Sequence, residues 1–196
     1  MAGMVDKQLF AELAERGVED IVMVPFCRYN KEEGCYEVMA WNSRFAVYPQ
    51  KELIKALDGA AEPHDYFYVF LVNYLLSPKK AVPTSNWISE KDLVGGTTFF
   101  RGPHAIPTDL ITQAFGDDLQ ALRFKCESLK GIPLDMADCS FSFHILGSIN
   151  VALLYWVGDE DFPAQAKLLI DSSVADTLRL DVVFGLLCDV CVCIAT

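Results

Sequence analysis

Two side chains able to do chemistry, Arg101 and His104, stand three positions apart in the most constrained stretch of the chain, Gly-Gly-Thr-Thr-Phe-Phe-Arg-Gly-Pro-His-Ala-Ile-Pro over Gly95–Pro107. Gly95 and Gly96 allow backbone angles that a side chain forbids, Thr97–Phe100 favours an extended segment, and Pro103 and Pro107 fix the chain on either side of His104. An imidazole held in this way can ligate a metal or haem iron, or move a proton, and a neighbouring guanidinium can pair with a carboxylate or phosphate. The plainer alternative is a histidine that hydrogen-bonds backbone within a tight loop.

The other candidates carry weaker signals. His64 follows Pro63 at a helix start and His144 lies in a strand. A site built from all three histidines with Asp159 or Asp171 is chemically reasonable, but no His-x-x-x-His spacing supports it. Cys188-Asp189-Val190-Cys191-Val192-Cys193 resembles the start of a cluster-binding run, which would draw further ligands from Cys126 or Cys139. On a helix, however, Cys188 and Cys191 share a face with Phe184 and Leu187 and are well explained as small core residues. Cys27 and Cys35 flank a hairpin loop and can face one another. Asp159-Glu160-Asp161 offers oxygen ligands without calcium-loop spacing and reads as a solvated turn. Nucleotide-binding glycine motifs, a phosphate loop and a serine-hydrolase elbow are all missing from the sequence. Tyr66, Phe67, Tyr68, Phe70 and Tyr74, with Phe99 and Phe100, are either core or the lining of an apolar pocket next to His104.

The elements that must position these groups follow from periodicity. A helix over Val5–Arg16 is capped by Gly17, and extended segments follow at Ile21–Arg28, Cys35–Trp41 and Arg44–Tyr48, forming a meander. A short helix runs from Pro49 to Leu57. His64–Leu76 is apolar nearly all round, as in a helix buried on most sides. Ser89 caps a single turn before the glycine pair. Helices are expected over Thr108–Phe115, over Leu119–Lys130 with Asp117 as its cap, over Ala164–Ile170 and over Leu180–Ile194. Ser140–Ile145 and Val151–Val157 form an antiparallel strand pair around Gly147. Strands grouped in neighbouring pairs, with helices between the groups, indicate an α+β fold: a single globular domain over residues 1–196, with an antiparallel sheet packed by helices on one face.

Several stretches in sequence order resemble one family: Trp87-Ile88-Ser89, Gly95-Gly96, Phe100-Arg101-Gly102-Pro103-His104, Phe115-Gly116-Asp117, Gly158-Asp159-Glu160-Asp161-Phe162-Pro163 and Leu169-Ile170-Asp171-Ser172-Ser173. The chain is similar over nearly its whole length to domain of unknown function 3786, sometimes labelled iron–sulfur cluster proteins. The resemblance implies no settled activity. It implies an association with anaerobic bacteria and archaea, where some members carry an extra N-terminal iron–sulfur domain that has no counterpart in this sequence. Similar sequences often place a His a few residues beyond the Asp-x-Ser stretch, and here Asp176 occupies that region.

Composition narrows the function classes. Just over half of the 196 residues are apolar, and the net charge is −11. With no basic stripe, nucleic acid and anionic membrane are poor partners. The longest apolar runs are too short to span a bilayer, the N-terminus lacks a signal peptide, and seven dispersed cysteines suit a reducing compartment, so a cytoplasmic location is expected. The leading expectation is a binding or accessory protein of anaerobic metabolism that holds a metal-containing cofactor. The cofactor candidates are a tetrapyrrole (haem or a corrinoid) or an iron–sulfur cluster, with His104 as the metal ligand and Arg101 and Phe100 as further contacts. Two alternatives stand beside it. One is a small-substrate enzyme using His104 and a carboxylate such as Asp171 as acid and base, with Arg101 holding an anionic substrate. The other is a module whose apolar last helix packs against a protein partner.

Overall fold

A computed structural model describes residues 5–24, 26–57, 63, 65–77 and 82–196. Among the described residues, two antiparallel sheets and seven α-helices make up an α+β architecture, where one sheet was expected. The first sheet is the meander: β1 (Cys27–Asn30), β2 (Cys35–Ala40), β3 (Ser43–Tyr48) and β4 (Leu53–Ala56), paired in sequence order. The second contains β5 (Trp87–Ile88), β6 (Ile132–Pro133), β7 (Cys139–Leu146), β8 (Ile149–Trp156) and β9 (Gln165–Asp171), in the order β5-β9-β8-β7-β6. At the two-residue turn between β2 and β3, Trp41 and Asn42 both adopt positive φ, as such turns require. The same turn ties the sheets together, since the Trp41 amide donates to the carbonyl of Ile145 at 2.6 Å.

Four expectations are corrected. The segment before β1 is helical where a strand from Ile21 was expected: α1 (Lys7–Glu15) is followed by α2 (Val18–Val22), and Gly17, at φ −58°, is the N-cap of α2 rather than a left-handed C-cap of α1. The helix expected from Pro49 to Leu57 is one 3₁₀ turn, Pro49–Lys51. Glu52, at φ 49°, reverses the chain so that Leu53–Ala56 can pair with β3. Ala164–Ile170 is β9 rather than a helix. Its residues have good helical propensity, but β8 offers a long unpaired edge, and the pairing Val151↔Ile170 to Trp156↔Gln165 overrides that propensity. Cys27 and Cys35 do not face each other, because the register sets Cys27 against Val38 and Asn30 against Cys35.

The core is built around two helices, α3 (Asp65–Leu76) and α7 (Leu180–Ala195), each apolar on most sides. They approach closely at Gly185, where an added Cβ would stand 3.3 Å from Cβ of Tyr66. Phe67, Tyr68, Phe70, Leu71, Tyr74 and Leu75 of α3 are all buried. One continuous apolar cluster joins α3 and α7 to Phe45 and Val47 of the first sheet and to Phe141, Phe143 and Ile170 of the second.

Candidate functional site

The stretch carrying Arg101 and His104 folds through backbone bonds of its own. Gly95 is left-handed at φ 80°, and Gly96 begins a four-residue helix, α4 (Gly96–Phe99), where an extended segment was expected. The amides of Phe99 and Phe100 donate to the carbonyls of Gly95 and Gly96 at 3.0 and 2.8 Å, and these local bonds outweigh the strand preference of two threonines and two phenylalanines. Gly96 is required for contact: a Cβ there would lie 2.3 Å from the carbonyl oxygen of Glu90. Glu90–Asp92 is a 3₁₀ turn capped by Ser89 as expected, and the Asp92 carboxylate accepts from the Ser89 amide at 2.8 Å. A second 3₁₀ turn, Gly102–His104, delivers the imidazole.

His104 is exposed, and its ring is nonetheless held. It stacks on Phe99 with centroids 4.5 Å apart and planes 12° apart, and it meets the edge of Phe184 from α7 at 5.3 Å. Phe184 in turn packs against Tyr66 of α3 at 6.1 Å. Aromatic contacts of this kind contribute about 1 kcal/mol each, enough to orient an imidazole without a hydrogen bond. Neither ring nitrogen of His104 has a hydrogen-bond partner among the described residues, and Arg101, also exposed, has no ion pair among them.

The aromatic next to His104 is therefore Phe99. Phe100 turns inward and is buried in the core, where it also lines the wall of a separate cleft. Most of the α3 aromatics are core, and Tyr66 alone reaches the His104 cluster. Phe184 escaped sequence reasoning as a neighbour of His104 because 80 positions separate them. The only available signal was its place at the edge of the apolar face of α7.

The remaining candidates do not converge on His104. His144 is exposed, with Nε2 2.8 Å from the carbonyl oxygen of Gly147, and His64 lies outside the described residues. Among the described residues, no group of three or more His, Cys, Asp or Glu side chains is arranged to hold a metal ion. Asp171 is 2 % exposed and occupied: it accepts from the Thr84 amide and hydroxyl, the Ser85 amide at 2.8 Å and the Ser173 amide at 2.9 Å. Burial opposes its ionisation, but the hydrogen bonds from Ser173 and Thr84 win and hold its carboxyl below the ordinary carboxylate range. Asp176 closes a 3₁₀ turn, Ser172–Asp176, at the end of β9.

Two of the motifs do meet. The Gly158 amide donates to the Asp117 carboxylate at 3.1 Å, while Asp159 closes its own loop by accepting from the amides of Asp161 and Phe162. The acidic turn thus leads into β9 rather than a helix, and Asp118, not Asp117, caps α6 (Leu119–Ser128). Upstream, α5 (Asp109–Phe115) ends at Gly116.

Most of the cysteines behave as core, with Cys27 and Cys193 half-buried. Cys126, Cys139, Cys188 and Cys191 are buried; burial pushes the Cys126 thiol up to about 12, the Cys193 thiol to about 12 and the Cys188 thiol to about 11. Thiolates are the reactive form, so at pH 8 a thiol reagent is expected to titrate well under half of the seven cysteines in the native protein and all seven in denaturant. Prompt native reaction at the three cysteines of α7 would contradict this burial.

No helix among the described residues is long and apolar enough to cross a membrane. Comparison with curated proteins and with solved structures finds no match. With the glycine pair, the Arg101–His104 turn, the Asp117–Gly158 contact and the Asp171 anchor all lying within residues 19–192, which match its pattern, the chain belongs to the family described as domain of unknown function (DUF3786).

Proposed function

We propose that the protein is a cytoplasmic binding or accessory protein of anaerobic metabolism that holds a metal-containing tetrapyrrole, haem or a corrinoid, with His104 as its protein ligand. One observation carries the reading: an exposed imidazole, fixed in plane by Phe99 and Phe184, keeps both ring nitrogens without a hydrogen-bond partner among the described residues. Such a ring is oriented for a ligand in advance, so little side-chain entropy is lost on binding. Arg101, three residues away and without an ion pair among the described residues, suits the carboxylates that surround a tetrapyrrole. Bound there, the metal would supply redox chemistry, while the protein orients the imidazole and pairs the acidic substituents.

An iron–sulfur cluster does not fit these residues, since the thiols are dispersed in the core and no three gather among the described residues. The acid–base alternative has less support, because all four of the donors around Asp171 come from Thr84, Ser85 and Ser173 and none from His104. The test is an anaerobic titration of the purified protein with haem and with a corrinoid, followed by absorption. The wild type is expected to bind one of them with a shifted spectrum, and His104→Ala to bind it at least about tenfold more weakly with the shift lost. Equal titrations for the two proteins, or no response from the wild type, would sink the reading.

A further inference from the structure

Among the described residues, the β9 side of the second sheet is left largely open next to the Arg101–His104 loop. β5 covers only Asp171 and Ile170 of β9, and beyond Ile88 the chain leaves the sheet at Ser89. Among the described residues no strand pairs with the outer edge of β9 from Gln165 to Leu169. That edge forms one side of a cleft of about 440 Å³ lined by four consecutive β9 residues, Gln165, Ala166, Lys167 and Leu168. Lys91, Phe100, Ile106 and, from β8, Trp156 stand among its remaining walls. A run of consecutive strand residues along a cleft presents unpaired backbone donors and acceptors, which are the affinity-giving groups of strand addition.

The charges select the occupant. Lys91 and Lys167 both line the cleft, and neither has an ion pair among the described residues, although the protein as a whole carries −11. Glu90, the carboxylate in the same wall, accepts from the Ser89 hydroxyl at 2.8 Å. A second copy adding its own β9 would bring another Lys167 toward the first, an arrangement that like charges disfavour. We propose that this cleft takes an extended acidic peptide segment of a partner protein, which adds as a strand to β9, places alternate apolar side chains against Phe100, Ile106 and Trp156, and pairs its carboxylates with Lys91 and Lys167. The surface is distinct from the His104 ring and stands whether or not a tetrapyrrole binds there.

The test uses the full chain and a fluorescein-labelled peptide alternating Glu and Val, followed by anisotropy at low salt. Saturable binding is expected. Lys91→Glu combined with Lys167→Glu is expected to weaken it at least about tenfold, both positions being exposed and the fold indifferent to them. Methylating the backbone nitrogens of alternate peptide residues keeps the charge and removes strand pairing, and is expected to abolish binding. His104→Ala is expected to leave it unchanged, which separates this surface from the cofactor reading. The proposal is overturned by failure to saturate up to about 1 mM peptide, by an N-methylated probe that binds as well as the parent, or by equal displacement with free glutamate or phosphate, which would mark a small-anion site instead.

Discussion

Replacing Asp171 with alanine is expected to lower stability by about 4 kcal/mol, which for a chain of this size is a fall in melting temperature of about 8–16 °C. The reason lies in what is left behind. The Thr84, Ser85 and Ser173 amides and the Thr84 hydroxyl all point at one buried carboxylate, and truncation leaves that set without its acceptor. Differential scanning calorimetry measures the effect directly, and a loss under about 1 kcal/mol would show that water takes over the role. The same residue predicts an acid limb. Its folded pKa lies below 3.8, so its contribution is complete above the ordinary carboxylate range and is lost as pH falls through 3.8 toward the folded value, where the unfolded chain binds the extra proton. Asp171→Asn is expected to flatten that limb of the stability curve.

Gly96→Ala is the second large effect, expected to cost about 3 kcal/mol. The added methyl carbon would meet backbone rather than a flexible side chain: the carbonyl oxygens of Glu90 at 2.3 Å and Lys91 at 3.0 Å. Relief requires the 3₁₀ turn at Glu90–Asp92 to move away from α4, carrying with it the base of the loop that presents His104. Thermal unfolding should therefore show the lost stability, and, on the function proposed above, the same variant should show weakened tetrapyrrole binding. Gly95→Ala, where the nearest non-neighbouring atom is a Leu180 side-chain carbon at 3.5 Å, carries only the cost of a left-handed conformation, about 1 kcal/mol. A Gly96→Ala protein as stable as Gly95→Ala would refute the contact argument.

The parts of this fold that were legible in the sequence are those whose burial is uniform along the element. α3 and α7 are apolar on nearly every side, and β7 and β8 are rich in aromatic and branched residues, so hydrophobicity alone marked them. β9 was not legible: Gln-Ala-Lys-Leu-Leu-Ile-Asp suits a helix locally, and only the waiting edge of β8 makes it a strand. The one-turn helix at Gly96–Phe99 was hidden for the opposite reason, since its threonines and phenylalanines favour a strand while backbone bonds to Gly95 and Gly96 close the turn. At the candidate site, His104 and Arg101 stood out through the glycines and prolines around them. The ring that holds His104 at its edge, Phe184, comes from a distant helix, and the open edge beside Lys167 exists only once β5 has stopped at Ile88.

The order in which the chain is made gives the pairing of α3 with α7 a further meaning. α3 is complete at Leu76 but finds its main helical neighbour only when Leu180–Ala195 has been synthesised, roughly a hundred residues later. At ordinary translation rates that interval is on the order of ten seconds, during which one of the most apolar helices in the protein has no α7 to cover it. Slowing translation between these helices is therefore expected to lower the yield of soluble protein even though the finished molecule is unchanged.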